Sequence, residues 1–214
     1  MCQTLRAQLT ERLKPIHRKF RARKIQRFLR LVAESRADSC LLDVGGGTGV
    51  GGEFLGLYVE FSKVIVVNLG PVSVQSVGPV RPEMVVADGR CLPFKTGSCD
   101  WVFSNAVIEH VGDWADQRRF ADEIRRVASR GYFVTTPNRY FPLEPHTLLP
   151  LYQFLPARVQ RKVAPYCPGY LRRYEVINLL SAAQMGKLFP EAEVFALGLP
   201  GLGPSLVAQY RRAS

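Results

Sequence analysis

Apolar positions change period along this chain, and the changes divide it. Residues 3 to 34 contain no glycine. Leu5, Leu9, Leu13 and Ile16, then Phe20, Ile25, Phe28, Leu29 and Val32, recur there at short helical intervals. That spacing predicts amphipathic helix, in two pieces around Pro15. Short apolar runs come next, at 40–44, 63–67, 84–87, 100–104 and 132–135. Runs of this kind suit strands covered on both faces. Helical spacing at 50–60, 114–129 and 174–189 lies between and after them. Strands alternating with helices predict a doubly wound, mostly parallel α/β sheet. Two successive strands at 193–197 and 205–210, around GLPGLGP, predict a closing antiparallel hairpin and bring the sheet to seven strands. Residues 137–170 carry seven prolines, which no continuous helix accommodates. They predict short, kinked helices, an insertion or lid over 137–173.

Composition narrows the picture. At 214 residues and 47% hydrophobic content, one α/β domain with a full core is expected. No apolar run reaches the length of a membrane span, and the basic N-terminus has no apolar stretch of the secretory kind. Five scattered cysteines form no metal-binding or disulfide pattern, which predicts reduced thiols in the cytoplasm. The net charge is +11, unevenly placed: residues 1–35 hold ten Lys/Arg against Glu11 and Glu34. We therefore read 1–35 as a basic helical extension and 36–214 as the α/β domain. Three uses of the extension compete. A solvated helix cap ranks first, and contact of residues 1–30 with an anionic membrane or a lipid-linked acceptor second. Nucleic-acid binding ranks third, because no recognition module accompanies the charge.

Chemistry concentrates at the strand ends, where open α/β sheets bind ligands. The first strand runs into LLDVGGGTG, with Asp43 followed by Gly45, Gly47 and Gly49. Glycine lets a ligand approach the backbone closely, and the amides of such a turn, with the helix after it, suit a carboxylate. Asp43 can accept from an ammonium, or cap the turn itself. The glycine spacing differs from the dinucleotide fingerprint, because Val50 stands where a third glycine or alanine belongs. No phosphate-loop Lys-Ser/Thr and no hydrolase nucleophile elbow is present.

LLDVGGGTG, ADGRCLPF and SNAVIEHV, in this order and spacing, resemble the class I S-adenosylmethionine-dependent methyltransferases. The segment after the fifth strand is similar to the methyltransferase type 11 kind. The resemblance covers residues 38 to 210 and implies a Rossmann-like methyltransferase fold with S-adenosyl-L-methionine as cofactor. It assigns cofactor contacts to Asp43, Gly45, Gly47 and Gly49, to Asn68 on the ribose, to Asp88 and Gly89 at the adenine, and to Ser104 and Asn105 near the methionine moiety. Asn68 departs from the pattern, since Asp or Glu usually takes the ribose hydroxyls. Glu109-His110 resembles half of the Glu-x-x-Glu-His metal pattern of quinone-pathway O-methyltransferases. Ala106 replaces its first Glu, so no metal is expected. His110 and His146 are candidate bases, with Glu144 orienting, although a structural role for each fits as well. The expected activity is methyl transfer to oxygen of a small-molecule or lipid/sugar-linked acceptor. The alternatives are a methyltransferase-fold binding protein and a nucleic-acid methyltransferase.

Overall fold

The computed structural model describes residues 19–34, 37–47, 55–74, 76, 78–167, 169, 174–198 and 203–213. Residues 19–31 are helical and form α1. β1 (Cys40–Val44), α2 (Leu55–Tyr58), β2 (Lys63–Asn68), β3 (Glu83–Val86), β4 (Cys99–Asn105), α3 (Trp114–Val127) and β5 (Ala128–Pro137) follow. A short hairpin of β6 (Leu143–Glu144) and β7 (Leu149–Pro150) leads into α4 (Ala157–Val163). The chain closes with α5 (Ala182–Leu188), β8 (Glu193–Leu197) and β9 (Ser205–Arg211).

Seven strands make one sheet in the order β3-β2-β1-β4-β5-β9-β8. β3, β2, β1, β4 and β5 pair in parallel. β9 is antiparallel to both β5 and β8. The order reverses between β1 and β4, and a cleft opens there beyond their carboxyl ends.

Two cores cover the sheet. On one face, Phe120, Ile124 and Val127 of α3 and Met185 and Leu188 of α5 pack on Leu42, Val44, Val102 and Val134. Asp113 starts α3 by accepting from the amides of Ala115 and Asp116. On the other face, α1 and α2 pack on Leu41, Val64, Val66 and Phe103. Phe28 of α1 is fully buried, with its ring centroid 5.2 Å from Phe103, 5.5 Å from Phe133 and 6.1 Å from Phe61. The described half of the basic helix is therefore anchored in the core through its apolar stripe, with Arg23 and Arg30 exposed on its other side. Leu5 to Ile16, and with them most of the predicted membrane contact, lie outside the described residues. Among the described residues no helix is long and apolar enough to cross a membrane.

One element is corrected. The helix expected over 174–189 begins at Ala182. Ser181 and Gln184 form a reciprocal capping box that starts it there. Upstream, the backbone of Asn178 and Leu180 is drawn into tertiary hydrogen bonds, to Glu109 and Arg139 respectively, which an uninterrupted helix would not permit. Of the helix expected over 50–60, Leu55–Tyr58 falls within the described residues.

Replacing Phe28 by Ala removes the ring at the centre of this aromatic cluster. We expect Phe28→Ala to lower unfolding free energy by about 3–5 kcal/mol, measured by denaturant titration. A change under about 1 kcal/mol would mean that α1 is not part of the cooperative fold.

Candidate functional site

The site is built where two backbone turns meet. The chain leaves β1 through Gly45, whose φ is +83° and whose amide donates to Val67 O at 2.7 Å. A Cβ on Gly45 would lie 2.3 Å from Val107 Cγ2, and one on Gly46 would lie 2.3 Å from Asp43 Oδ2. Both positions require glycine, for backbone conformation at the first and for space at both. Asp43 is 4% exposed and accepts from Tyr58 Oη at 2.6 Å. Burial pushes its carboxyl up to about 6, against the opposing hydrogen bond from Tyr58. The Tyr58 hydroxyl is in turn pushed up by burial and by the adjoining carboxylate.

Gly45, Asn68, Asp88, Gly89, Arg90 and His110 line the cleft beyond the strand ends, floored by Val44, Val67 and Phe120. Asn68 ties the cleft together. Its Nδ2 donates to Gly46 O at 3.0 Å, and its Oδ1 accepts from the Leu69 amide at 2.9 Å. Asp88 accepts from its own turn, at Arg90 N, and from the Arg90 guanidinium at 2.7 Å, which together hold its carboxyl below the usual range. Arg90 also reaches Asp116 at 3.1 Å and Val111 O at 3.2 Å, so it bridges the third strand's loop to α3. Leu92 is buried in the core.

Ser104 and Asn105 face other partners. Ser104 is fully buried, and its Oγ donates to Val44 O at 3.0 Å, joining β4 to β1. Asn105 Oδ1 accepts from Thr135 Oγ1 at 2.8 Å and from Lys24 Nζ at 2.9 Å. Gly47 lies near Val72, and Gly49 falls outside the described residues.

The second turn follows β4. Ala106 takes φ +55°, and a 3-10 turn, Ile108–His110, presents Glu109 and His110. Gln117 Nε2 holds Ile108 O at 3.1 Å, and the Asn178 amide holds Glu109 O at 2.9 Å. Glu109 is fully buried. Its Oε2 accepts from Thr136 Oγ1 at 2.9 Å, while Oε1 accepts no hydrogen bond among the described residues. Burial pushes this carboxyl up.

His110 reaches the cleft and stands edge-on to the His146 ring, centroids 5.2 Å apart. Burial, and after it the charge of His146, lowers its pKa. His146 is buried, and its Nδ1 forms a very short hydrogen bond with Glu144 Oε1. The other Glu144 oxygen accepts from Thr147 N and Oγ1, both at 2.7 Å. Burial raises the Glu144 carboxyl, but the bonds and charge of His146 outweigh it and hold the pKa low. The structure thus brings together Glu109, His110, His146 and Glu144 from segments far apart in sequence.

Two side chains enter the site that residue types alone did not single out. Tyr58 partners Asp43, and Lys24 reaches Asn105 from α1. Lys24 is 8% exposed, and burial lowers its pKa to about 8 while Glu109 opposes the shift. The signal was its place in the pattern: Lys24 stands four residues from both Phe20 and Phe28, on the apolar stripe.

Residues 42–135 match a family model described as a methyltransferase domain. No curated protein matches the chain in sequence. Among solved structures, magnesium protoporphyrin IX methyltransferase (ChlM) from Synechocystis PCC 6803, determined with bound SAH, is 14% identical with a TM-score of 0.57, covering 92% of this chain and 84% of its own. YcgJ from Bacillus subtilis is 16% identical with a TM-score of 0.57, covering 90% of this chain and 100% of its own. A SAM-dependent methyltransferase from Thermotoga maritima is 16% identical with a TM-score of 0.54, covering 97% and 96%. At these identities the structures speak for the fold. Residues 42–135 thus match a methyltransferase domain, and the sheet that continues beyond them to β9 and β8 completes the Rossmann-like fold of the S-adenosylmethionine-dependent methyltransferases.

Proposed function

We propose that this enzyme methylates an oxygen of a small-molecule or lipid/sugar-linked acceptor. When bound, S-adenosyl-L-methionine supplies an electrophilic methyl group on a sulfonium. The residues around the cleft fit that cofactor, because Gly45 and Gly46 leave a cradle that a Cβ would fill beside the buried Asp43 carboxylate. In this reading Asp43 and the glycine turn take the amino-acid end, and Asp88 and Gly89 face the adenine. Asn68, already bonded to Gly46 and Leu69, gives the ribose less than a carboxylate would.

One observation carries the choice of oxygen. His110 lines the cleft against His146, and Glu144 stands hydrogen-bonded behind His146. A hydroxyl acceptor must lose its proton as the new C–O bond forms and the C–S bond breaks, and this cluster is where that proton leaves. Glu144 acts through His146 as a positioning residue. Lys24, held on Asn105, supplies a cation for the developing oxyanion.

Incubation with methyl-labelled cofactor and a panel of hydroxyl, amine and carbon acceptors tests this reading. We expect S-adenosylhomocysteine and a methyl ether. His146→Ala should lower turnover by about 10²-fold or more, with cofactor affinity within about twofold of wild type by calorimetry. Methyl product on nitrogen or carbon alone would overturn the choice of oxygen.

Asp43 gives a second test. Its folded pKa of about 6 lies above the unfolded value of about 3.9. The ionised side chain therefore destabilises the fold progressively as pH rises from about 4 to 6, and fully above that. Asp43→Asn should raise stability at pH 7.5 by on the order of 2 kcal/mol. The gain should fade below pH 4, and cofactor binding should weaken at least tenfold. An Asn variant that is less stable at pH 7.5 would show that the buried charge supports the fold.

A further inference from the structure

We infer that Glu109, His110 and His146 form a binding site for one divalent transition-metal cation of the Zn²⁺ class. This inference rests on the proposed oxygen chemistry at the same cluster and states how the cluster performs it.

The three residues each offer one ligand atom, and these atoms lie within 4.8 Å of one another. Glu109 Oε1 is 3.9 Å from His110 Nε2. Tetrahedral ligands at about 2.0–2.1 Å from an ion stand roughly 3.4 Å apart. Small side-chain rotations close that gap.

Two further observations point to an ion. The first is Glu109 Oε1. It is a fully buried carboxylate oxygen that accepts no hydrogen bond among the described residues, although its twin is satisfied by Thr136. Buried carboxylate oxygens are ordinarily bonded, and a metal ion gives this one a partner. Lys24, the nearby cation, is bonded to Asn105 instead.

The second is the support behind His146. Its Nδ1 is bonded to Glu144, and Glu144 is fixed by Thr147. An imidazole that donates from Nδ1 carries its lone pair on Nε2. A carboxylate behind a histidine is the arrangement that orients metal-binding imidazoles and raises their basicity. Two imidazoles and a carboxylate suit Zn²⁺, Fe²⁺ or Co²⁺ far better than Mg²⁺ or Ca²⁺, which prefer all-oxygen sites.

Three protein ligands leave a four-coordinate ion one open position. His110 is the ligand that also lines the cofactor cleft, so the ion would sit between the cleft and the buried Glu144. An acceptor hydroxyl taking the open position would be acidified by the ion. The two imidazoles then serve as ligands, and the proton lost from the hydroxyl passes to water.

The site is tested on the full, tag-free chain stripped with chelator and titrated with Co²⁺, then with Zn²⁺ in competition. We expect one Co²⁺ per chain, with the visible absorption of a four- or five-coordinate ion, displaced by Zn²⁺ and not by Mg²⁺. Glu109→Gln and His146→Ala should each weaken Co²⁺ binding at least tenfold. His110→Ala, at the half-exposed ligand where folding is least at risk, should do the same. Glu144→Gln, which touches no ion, should weaken it by about 10- to 100-fold. Absence of stoichiometric Co²⁺ from a folded wild type, or unchanged affinity in His110→Ala, overturns the site. Calorimetry with S-adenosyl-L-methionine on the same samples separates the two readings. Cofactor binding without Co²⁺ binding removes the metal site alone, whereas Co²⁺ binding without cofactor binding removes the methyltransfer reading.

Discussion

Everything in the site depends on how closely the turn after β1 approaches the turn after β4. Gly45 runs so near Val107 that any side chain would collide with it. The second turn meets this constraint by rising at Ala106 with φ +55°, a conformation that alanine adopts under strain. Its surroundings over-determine it. The Ala106 amide donates to Thr135 O at 2.9 Å, and Ile108 is fully buried just beyond. Glu109 and His110 follow within four residues of Ala106. The close approach of Gly45 to Val107 thus sets the distance between the glycine turn and the Glu109–His110 turn. In the proposed reaction that distance governs the alignment of donor and nucleophile.

The same packing explains which parts of the molecule were legible in the sequence. Strands such as 63–67 and 100–104 show themselves as unbroken apolar runs because both faces of a parallel sheet are covered. The glycine turn shows itself because Gly45 and Gly46 answer local demands. Side-chain partners are a different matter. Asn68, Ser104 and Asn105 stand at the strand ends that their motifs indicate, yet each is hydrogen-bonded to another part of the protein. Motif position marks the strand end, while the partner depends on what the fold brings beside it. Helical spacing over 174–189 likewise says nothing of the Asn178 and Leu180 backbone bonds that keep 174–180 out of the helix.

His146 shows the limit most sharply. A metal pattern read along the chain fails at Ala106, where a carboxylate is missing. In space, an imidazole from the proline-rich segment after β5 comes to the same cluster, more than thirty residues away in sequence. The prolines of 137–170 exclude a long helix and leave a compact path, in which the β6–β7 hairpin folds Glu144 and His146 back under His110. Proline content could predict the kinks. It could not predict that they would bring His146 inward, against His110.

Buried charge is concentrated in one part of the molecule. Among the described residues, the Asp, Glu, Lys and His side chains that are buried are Lys24, Asp43, Glu109, Glu144 and His146. All five gather at the carboxyl end of the sheet, in a protein whose other described Asp, Glu, Lys, Arg and His side chains stand at least partly in solvent. Removing such groups from water opposes folding unless partners compensate. The partners here do so unevenly. Asp43 has one hydroxyl and a raised pKa, Glu109 has one satisfied oxygen, and Lys24 is drawn down to about 8. A fold selected for stability alone would fill these positions with apolar side chains, as it fills the rest of both cores. Their concentration at one end of the sheet, against the turn that only glycine can make, marks that end as the place where stability is given up for chemistry.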